Sequence, residues 1–278
     1  MLRRRSSRLF RLARVPRVAS DTLPLPPREM RMLVGPLEDD AYDNPRGNPV
    51  FAHLPPEVYE SVVDLGCGCG RVARQLIQQR PQPQRYLGLD LHRGMVRWCE
   101  QNLAPSAPQF RFRHHDVRNV GLNPDGQALT LPLPVEDDSA TLVVGVSVFT
   151  HMLPDQTIHY LHEAARVLVP SGLLVATWFL FDKLDFPYMQ EFQNALYINL
   201  EDPSNAVSFD RTWVRGQARN AGLTIVHAAR PAVRGFQWTL TMAPAVAGRR
   251  EAAIPTDSSR RGWRRPPLRP HRAEQIGI

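Results

Sequence analysis

The sequence predicts an α/β domain built on a doubly wound, mainly parallel sheet, and three observations carry that prediction. Residues 62–71 read Val-Val-Asp-Leu-Gly-Cys-Gly-Cys-Gly-Arg, a short apolar run, a Gly-x-Gly-x-Gly turn and then a helical pattern from Arg71. Apolar runs and 3.6-period segments go on alternating to about residue 180, as repeated βαβ units with right-handed crossovers do. Two last apolar runs, 223–228 and 235–242, are joined by a short connection and are expected to pair antiparallel.

The elements follow in order. Residues 1–20 hold seven arginines and no acid. Arginine recurs too often to leave the roughly 7–15-residue apolar stretch of a secretory signal. Leu2, Leu9, Leu12 and Ala13 would share one helical face, a pattern suited to weak membrane-surface contact, but Pro16 would stop that helix. A disordered basic leader running into an extended Pro linker at 22–27 is therefore expected over residues 1–27. Residues 28–243 form the folded domain, and the proline- and arginine-rich stretch 244–278 reads as a disordered basic tail.

Within the domain, Glu38, Asp39, Asp40 and Asp43 read as a solvated loop. Strand one spans 61–65 and its helix about 71–80. Strand two, 85–89, ends at Asp90, with a helix near 93–103. Residues 110–114 alternate as strand three and lead to Asp116. A Pro-, Gly- and Asp-rich loop at 119–140 precedes strand four, 141–148. A helix at 155–168 carries Ile158, Leu161, Ala165 and Leu168 on one face. Ser171-Gly172 turn the chain into a fifth strand, 173–180. A helix at 210–221 ends at Gly222, and residues 182–208 stand before it as an insertion.

Composition sets the limits. Hydrophobic residues make up 43% and charged residues 22% of the 278, as in a soluble globular protein, and no apolar run approaches the ~18 residues of a membrane span. The formal net charge is +7, but residues 1–20 carry +7 and 249–278 carry +5, which leaves −5 on the middle. A nucleic-acid enzyme would show basic residues across its folded face, so no nucleic-acid partner is expected. Cys67, Cys69 and Cys99 are an odd set with no paired framework, which argues for a reducing, cytoplasmic compartment. Cys67 and Cys69 lack a second ligand pair, so no metal is expected.

The glycine turn carries the chemistry. Glycines between a strand and a helix let a ligand touch backbone, and the helix start offers N–H groups to an anion. Dinucleotide folds space these glycines Gly-x-Gly-x-x-Gly; here Gly66, Gly68 and Gly70 come one residue closer, and Asp64 precedes them. Asp90 closes strand two 20 residues past Gly70, where a carboxylate can accept both hydroxyls of a ribose.

This stretch resembles motif I of class I S-adenosylmethionine-dependent methyltransferases. The resemblance covers about residues 60–180, including the run Leu161-His162-Glu163-Ala164-Ala165-Arg166-Val167-Leu168-Val169-Pro170-Ser171-Gly172, where Ser171 departs mildly from the family's proline-glycine-glycine turn. It implies a Rossmann-like, seven-stranded sheet with an antiparallel C-terminal strand, and S-adenosyl-L-methionine as cofactor. In that family the loop holding Gly66, Cys67, Gly68 and Gly70 wraps the methionyl carboxylate, and the acid at Asp64 lies near the amino group. Leu91 and Met95 would contact the adenine, and Asp116-Val117 match the position that bonds its amino group. Strand four ends at Ser147, Phe149, Thr150 and His151, beside the transferable methyl. His151 stands where a general base could take the acceptor's proton. His159 and His162 are surface residues, while His114 and His115 flank the adenine site without assigned chemistry. Segments ahead of motif I often fold over the pocket, which suggests Tyr42 and Phe51 for that task, and 182–208 would cover the substrate.

The expected function is methyl transfer to a metabolite, lipid or sugar. A nucleic-acid methyltransferase is the alternative, disfavoured because Ser147-Val148-Phe149-Thr150 stand where base-nitrogen enzymes carry Asn/Asp-Pro-Pro-aromatic. A non-catalytic cofactor-binding protein of the same fold is the other.

Overall fold

The computed structural model describes residues 23–232, 235–246 and 249–256. The elements run α1 (Arg28–Val34), β1 (Ser61–Leu65), α2 (Arg71–Gln78), β2 (Arg85–Asp90), α3 (Arg93–Asn102), β3 (Phe110–His114) and β4 (Ala140–Gly145). They continue as α4 (Pro154–Val167), β5 (Leu168–Phe181), β6 (Ala195–Tyr197), β7 (Val207–Asp210), α5 (Arg211–Asn220), β8 (Leu223–Ala229) and β9 (Trp238–Pro244).

β1 lies at the centre because all five of its residues are buried, as a strand covered on both faces must be. Val63 sits in parallel register with Leu87 of β2 on one side and Val143 of β4 on the other. The chain proceeds outward from β1 through β2 to β3, then returns to lay β4 and β5 on the opposite side. That reversal makes the carboxyl ends of β1 and β4 the crevice where ligands bind in open parallel sheets. β9 pairs antiparallel with β5, placing Trp238 opposite Trp178, and β8 pairs antiparallel with β9. This is the expected seven-stranded sheet. β6 and β7 add two strands, with β7 parallel to the end of β5 at Phe179–Phe181.

The helices cover both faces. On one side Leu76, Ile77, Val96 and Cys99 pack over Tyr86 and Phe110, whose rings stack at 4.5 Å. On the other, Leu161 and Val214 cover a core built around Phe149, Trp178 and Phe209. Each fully buried ring contributes a few kcal/mol of apolar burial.

Three expectations need correction. The turn at Ser171-Gly172 is absent: β5 is a single strand from Leu168 to Phe181, with a register shift opposite Ala140 and Leu142 that absorbs the Ser-Gly pair. Strand four stops at Gly145 rather than 148, because Ser147 adopts φ 59° and donates its N–H to Thr177 Oγ1 at 2.7 Å. The packed body also runs further at both ends than 28–243. Leu23 is buried and its carbonyl accepts from Arg74 Nη2 at 2.9 Å. After β9, Ala252 donates to the Ile225 carbonyl at 2.8 Å, Ile254 enters the core, and the Arg211 guanidinium holds the Pro255 carbonyl. Ile254 and Ala252 on the core, with these hydrogen bonds and the Arg219–Glu251 pair, seat that stretch. Residues 1–22 of the expected 1–27 leader and linker, and residues 257–278 of the expected tail, lie outside the described residues.

The acidic loop is likewise not wholly solvated. Arg74, itself buried, donates to the Tyr42 carbonyl at 3.0 Å and pairs with Asp43. Burial pushes the Asp43 carboxyl up, yet hydrogen bonds from Gln78 and Arg74 outweigh it and hold the group below its usual range.

Candidate functional site

A cavity of about 610 Å³ opens at the carboxyl ends of β1, β2 and β4. Its floor is the glycine turn, which hangs from β2 through two N–H bonds, Gly66 and Cys67 to the Leu89 carbonyl at 2.7 and 3.0 Å. Gly66, Gly68 and Gly70 take φ of 72°, 53° and 82°, a region side-chain-bearing residues rarely enter. Two of the three also lack room. A Cβ on Gly66 would stand 2.2 Å from Val148 Cγ2, and one on Gly70 2.5 Å from Leu103 Cδ1. Gly68 differs, since a Cβ there would meet only Val34, at 3.5 Å. Gly68 and Val34 both line the cavity, so the missing side chain leaves space open to a ligand.

Asp90 ties the turn to β2. Its Oδ2 accepts from Gly68 N at 2.8 Å and its Oδ1 from His92 N at 2.7 Å. Each oxygen keeps a second lone pair. Burial raises the Asp90 carboxyl above its usual range, against the lowering by those two N–H groups. Asp64 is also buried, and its Oδ2 accepts from Tyr86 OH at 2.7 Å. Burial pushes Asp64 up to about 7, with the Tyr86 bond and the Arg71 charge pulling downward and Asp90 pushing further up. Two half-compensated carboxyl groups in one cavity suit a cationic ligand that also carries hydroxyls. The three thiols are free and buried, with burial raising each above its usual range, so none supplies a thiolate nucleophile at neutral pH.

Beyond β4 the 3-10 turn Phe149–His151 brings His151 to the cavity. His151 Nδ1 lies 3.2 Å from the Ser204 carbonyl. A carbonyl can only accept, so Nδ1 carries the hydrogen and Nε2 keeps its lone pair. Asp202–Asn205, from the segment between β6 and β7, also line the cavity. Ser147 Oγ bonds Gln237 Oε1 at 3.1 Å, which ties the end of β4 to the start of β9.

Of the predicted site residues, Asp64, Gly66, Cys67, Gly68, Asp90, Leu91, Val117, Ser147 and His151 share this cavity. Gly70, Met95 and Asp116 do not line it. Gly70 caps α2 in the left-handed conformation. Met95 faces the other way, fully buried with Tyr42 and Cys69, because position 95 falls on the inner face of α3. Asp116 Oδ1 accepts from Asn123 Nδ2 at 3.0 Å and acts within its own loop. Nor do Tyr42 and Phe51 close the pocket. Tyr42 OH lies 3.6 Å from Cys69 Sγ beneath the turn, while Leu33–Gly35 at the end of α1 line the opening.

Sequence reasoning set His115 beside the adenine site without a role and did not find Tyr160. Both line the cavity, and His115 Nε2 lies 2.8 Å from Tyr160 OH. Burial, aided by the neighbouring charges of His114, His159 and Arg113, lowers His115 to about 4, and burial raises Tyr160 to about 12, so both are neutral across the physiological range. The signal was a histidine one residue past a strand end; its partner is 45 residues away and had none. Among the described residues no three His, Cys, Asp or Glu side chains converge on a metal position, and no helix is long and apolar enough to cross a membrane.

Residues 62–172 match the family described as a methyltransferase domain. An uncharacterized methyltransferase of Emericella nidulans is 31% identical over 129 residues, covering 44% of this chain and 43% of that protein. The chain thus spans less than half the length of the curated relative it matches. Among solved structures, an S-adenosylmethionine-dependent methyltransferase of Methanosarcina mazei covers 69% of this chain and 98% of its own at 17% identity, with a TM-score of 0.47. One from Mesorhizobium loti covers 68% and 93% at 15% identity, with a TM-score of 0.48.

Proposed function

We propose that this chain, whose residues 62–172 carry a methyltransferase domain, transfers the methyl group of S-adenosylmethionine to a small-molecule acceptor. The observation that carries the reading is a single cavity lined by the glycine turn, Asp64, Asp90 and His151 together. When bound, S-adenosylmethionine supplies an activated sulfonium methyl group. Asp90 would take the ribose hydroxyls on its free lone pairs, and Asp64, ionised by the approach of a cation, would hold the amino group. Leu91 and Val117, which line the same cavity, would flank the purine. His151, with Nδ1–H held by the Ser204 carbonyl, would receive the acceptor's proton at Nε2. Leu33–Gly35 and Asp202–Asn205 narrow the opening, and a dry, aligned pocket is the protein's main contribution to such a displacement.

Three features support a small acceptor. The cavity falls within the roughly 300–1,000 Å³ usual for small-ligand sites. The chain between its basic ends is net acidic, and no base-holding Pro-Pro-aromatic run follows β4. Three buried free thiols fit the reducing cytoplasm.

Calorimetry with S-adenosylmethionine and with NAD tests the donor, and S-adenosylhomocysteine release across a metabolite panel tests the transfer. Tighter binding of the sulfonium cofactor, and release that depends on one acceptor class, are the expected results. Equal or tighter binding of NAD would overturn the reading.

A further inference from the structure

The segment between β5 and β7 exposes more apolar surface than a soluble face ordinarily does. Leu184, Tyr188 and Leu200 are 92%, 93% and 84% exposed, and Phe192 and Ile198 of the same segment are exposed as well. Large apolar groups concentrated on one element mark a surface that something covers. The segment is also acidic. Residues 182–202 hold Asp182, Asp185, Glu191, Glu201 and Asp202 against Lys183 alone, a net −4. Asp182 is paired with Arg211 at 3.6 Å, whereas Asp185, Glu191 and Glu201 take part in no ion pair among the described residues. Lys183 is turned inward, donating to the Glu191 carbonyl and Asn194 Oδ1.

The described chain ends beside this surface. Arg211, the partner of Asp182, also holds the Pro255 carbonyl, and Arg230 Nη2 donates to the Thr256 carbonyl at 3.3 Å. The chain therefore leaves Thr256 one arginine away from the first residue of the acidic segment. Residues 257–278 carry six arginines against Asp257 and Glu274, a net +4, together with Trp263 and Leu268. Extended, that length reaches on the order of 70 Å, far more than the segment requires.

We propose that residues 257–278 dock on the 184–200 segment of the same chain, with Trp263 and Leu268 on its apolar residues and the arginines facing Asp185, Glu191 and Glu201. An anionic membrane is disfavoured as the occupant by the segment's own negative charge. A second copy of the segment would set like charges face to face. The segment continues directly into Asp202–Asn205, which line the cavity with His151.

The test uses the full chain with the photoreactive residue p-benzoylphenylalanine in place of Trp263. Irradiation in dilute buffer at low salt should label 184–200 within the monomer. The yield should fall at least about fivefold in 1 M NaCl, where the Debye length shrinks to ~3 Å, and similarly in a Glu191→Arg, Glu201→Arg variant. Labelling elsewhere on the chain, labelling only between chains, or a yield indifferent to both salt and charge reversal would each overturn the assignment. The cofactor plays no part in this readout, so it stands or falls apart from the proposed methyl transfer.

Discussion

Asp90 Oδ2 accepts the Gly68 N–H at 2.8 Å, so the acid expected to hold a ribose also fixes the loop beneath it. Loss of that carboxylate frees the turn as well as removing an acceptor. Asp90→Ala is expected to weaken S-adenosylhomocysteine binding at least about tenfold, or 1.4 kcal/mol, by calorimetry. Gly68→Val, which forces a branched side chain to φ 53° in front of Val34, should weaken it by at least as much. Wild-type affinity in both would remove the loop from the cofactor site.

Gly66 makes a stability test. Its φ of 72° and the 2.2 Å approach to Val148 Cγ2 mean that Gly66→Ala should cost about 2 kcal/mol or more. Adding Val148→Ala removes the clashing methyl group and leaves the backbone strain. Denaturant melts of the two single variants and the double variant should therefore give a favourable coupling energy. Strict additivity would mean that the loop moves rather than clashes.

The buried titrating pair predicts opposing pH slopes. Asp64 ionises near 7 when folded and near 4 when unfolded, so between those values only the folded state holds its proton and stability falls as pH rises. His115 ionises near 4 when folded and near 6.5 when unfolded, so over most of the same window stability rises with pH. Each slope is at most about 1.4 kcal/mol per pH unit, and the two nearly cancel. The stability of Asp64→Asn minus that of wild type should therefore climb from pH 4 to 7. The difference for His115→Asn should fall from pH 4 to 6.5. Flat differences would show that neither group is shifted.

His151 is the base in the proposed reaction. His151→Ala should leave cofactor affinity unchanged and lower turnover roughly 10²–10⁴-fold. A variant with full turnover on the true acceptor would transfer that role to water or to another group.

The ends of the body are testable by length. A protein confined to 28–245 lacks Leu23 and Ile254 from the core, together with the Arg74–Leu23 and Arg211–Pro255 hydrogen bonds. It should melt several degrees below one spanning 23–256, since each kcal/mol shifts a domain of this size by about 2–4 °C. Equal melting temperatures would return the boundary to 28.

The parts of the fold legible in the sequence were those written locally. The apolar run 62–65, the glycine spacing and Asp90 at a strand end each declare themselves within a few residues. What stayed hidden depended on contacts far apart in the chain. Tyr160 becomes a cavity residue only because the helix after β4 lays it against His115. Met95 was misplaced because helical phase, which decides between cavity and core, shifts by 100° per residue. Ile254 looked like tail because its partners come from the other end of the fold, and the strand run through Ser171-Gly172 overrode a local turn signal through its pairing with β4 and β9.

β5 outlasts β4: after Gly145 the neighbouring strand is finished, while β5 continues to Phe181 and receives β7 at Phe179–Phe181. The wall at Asp202–Asn205 is therefore mounted on an extension of the sheet, and none of the hydrogen bonds that shape the glycine turn runs through it. Replacing the residues between Asp182 and Ala206 would therefore leave the hydrogen bonds of the glycine turn in place. A chimera carrying a foreign 183–206 is expected to keep the glycine turn intact while presenting a different wall beside His151.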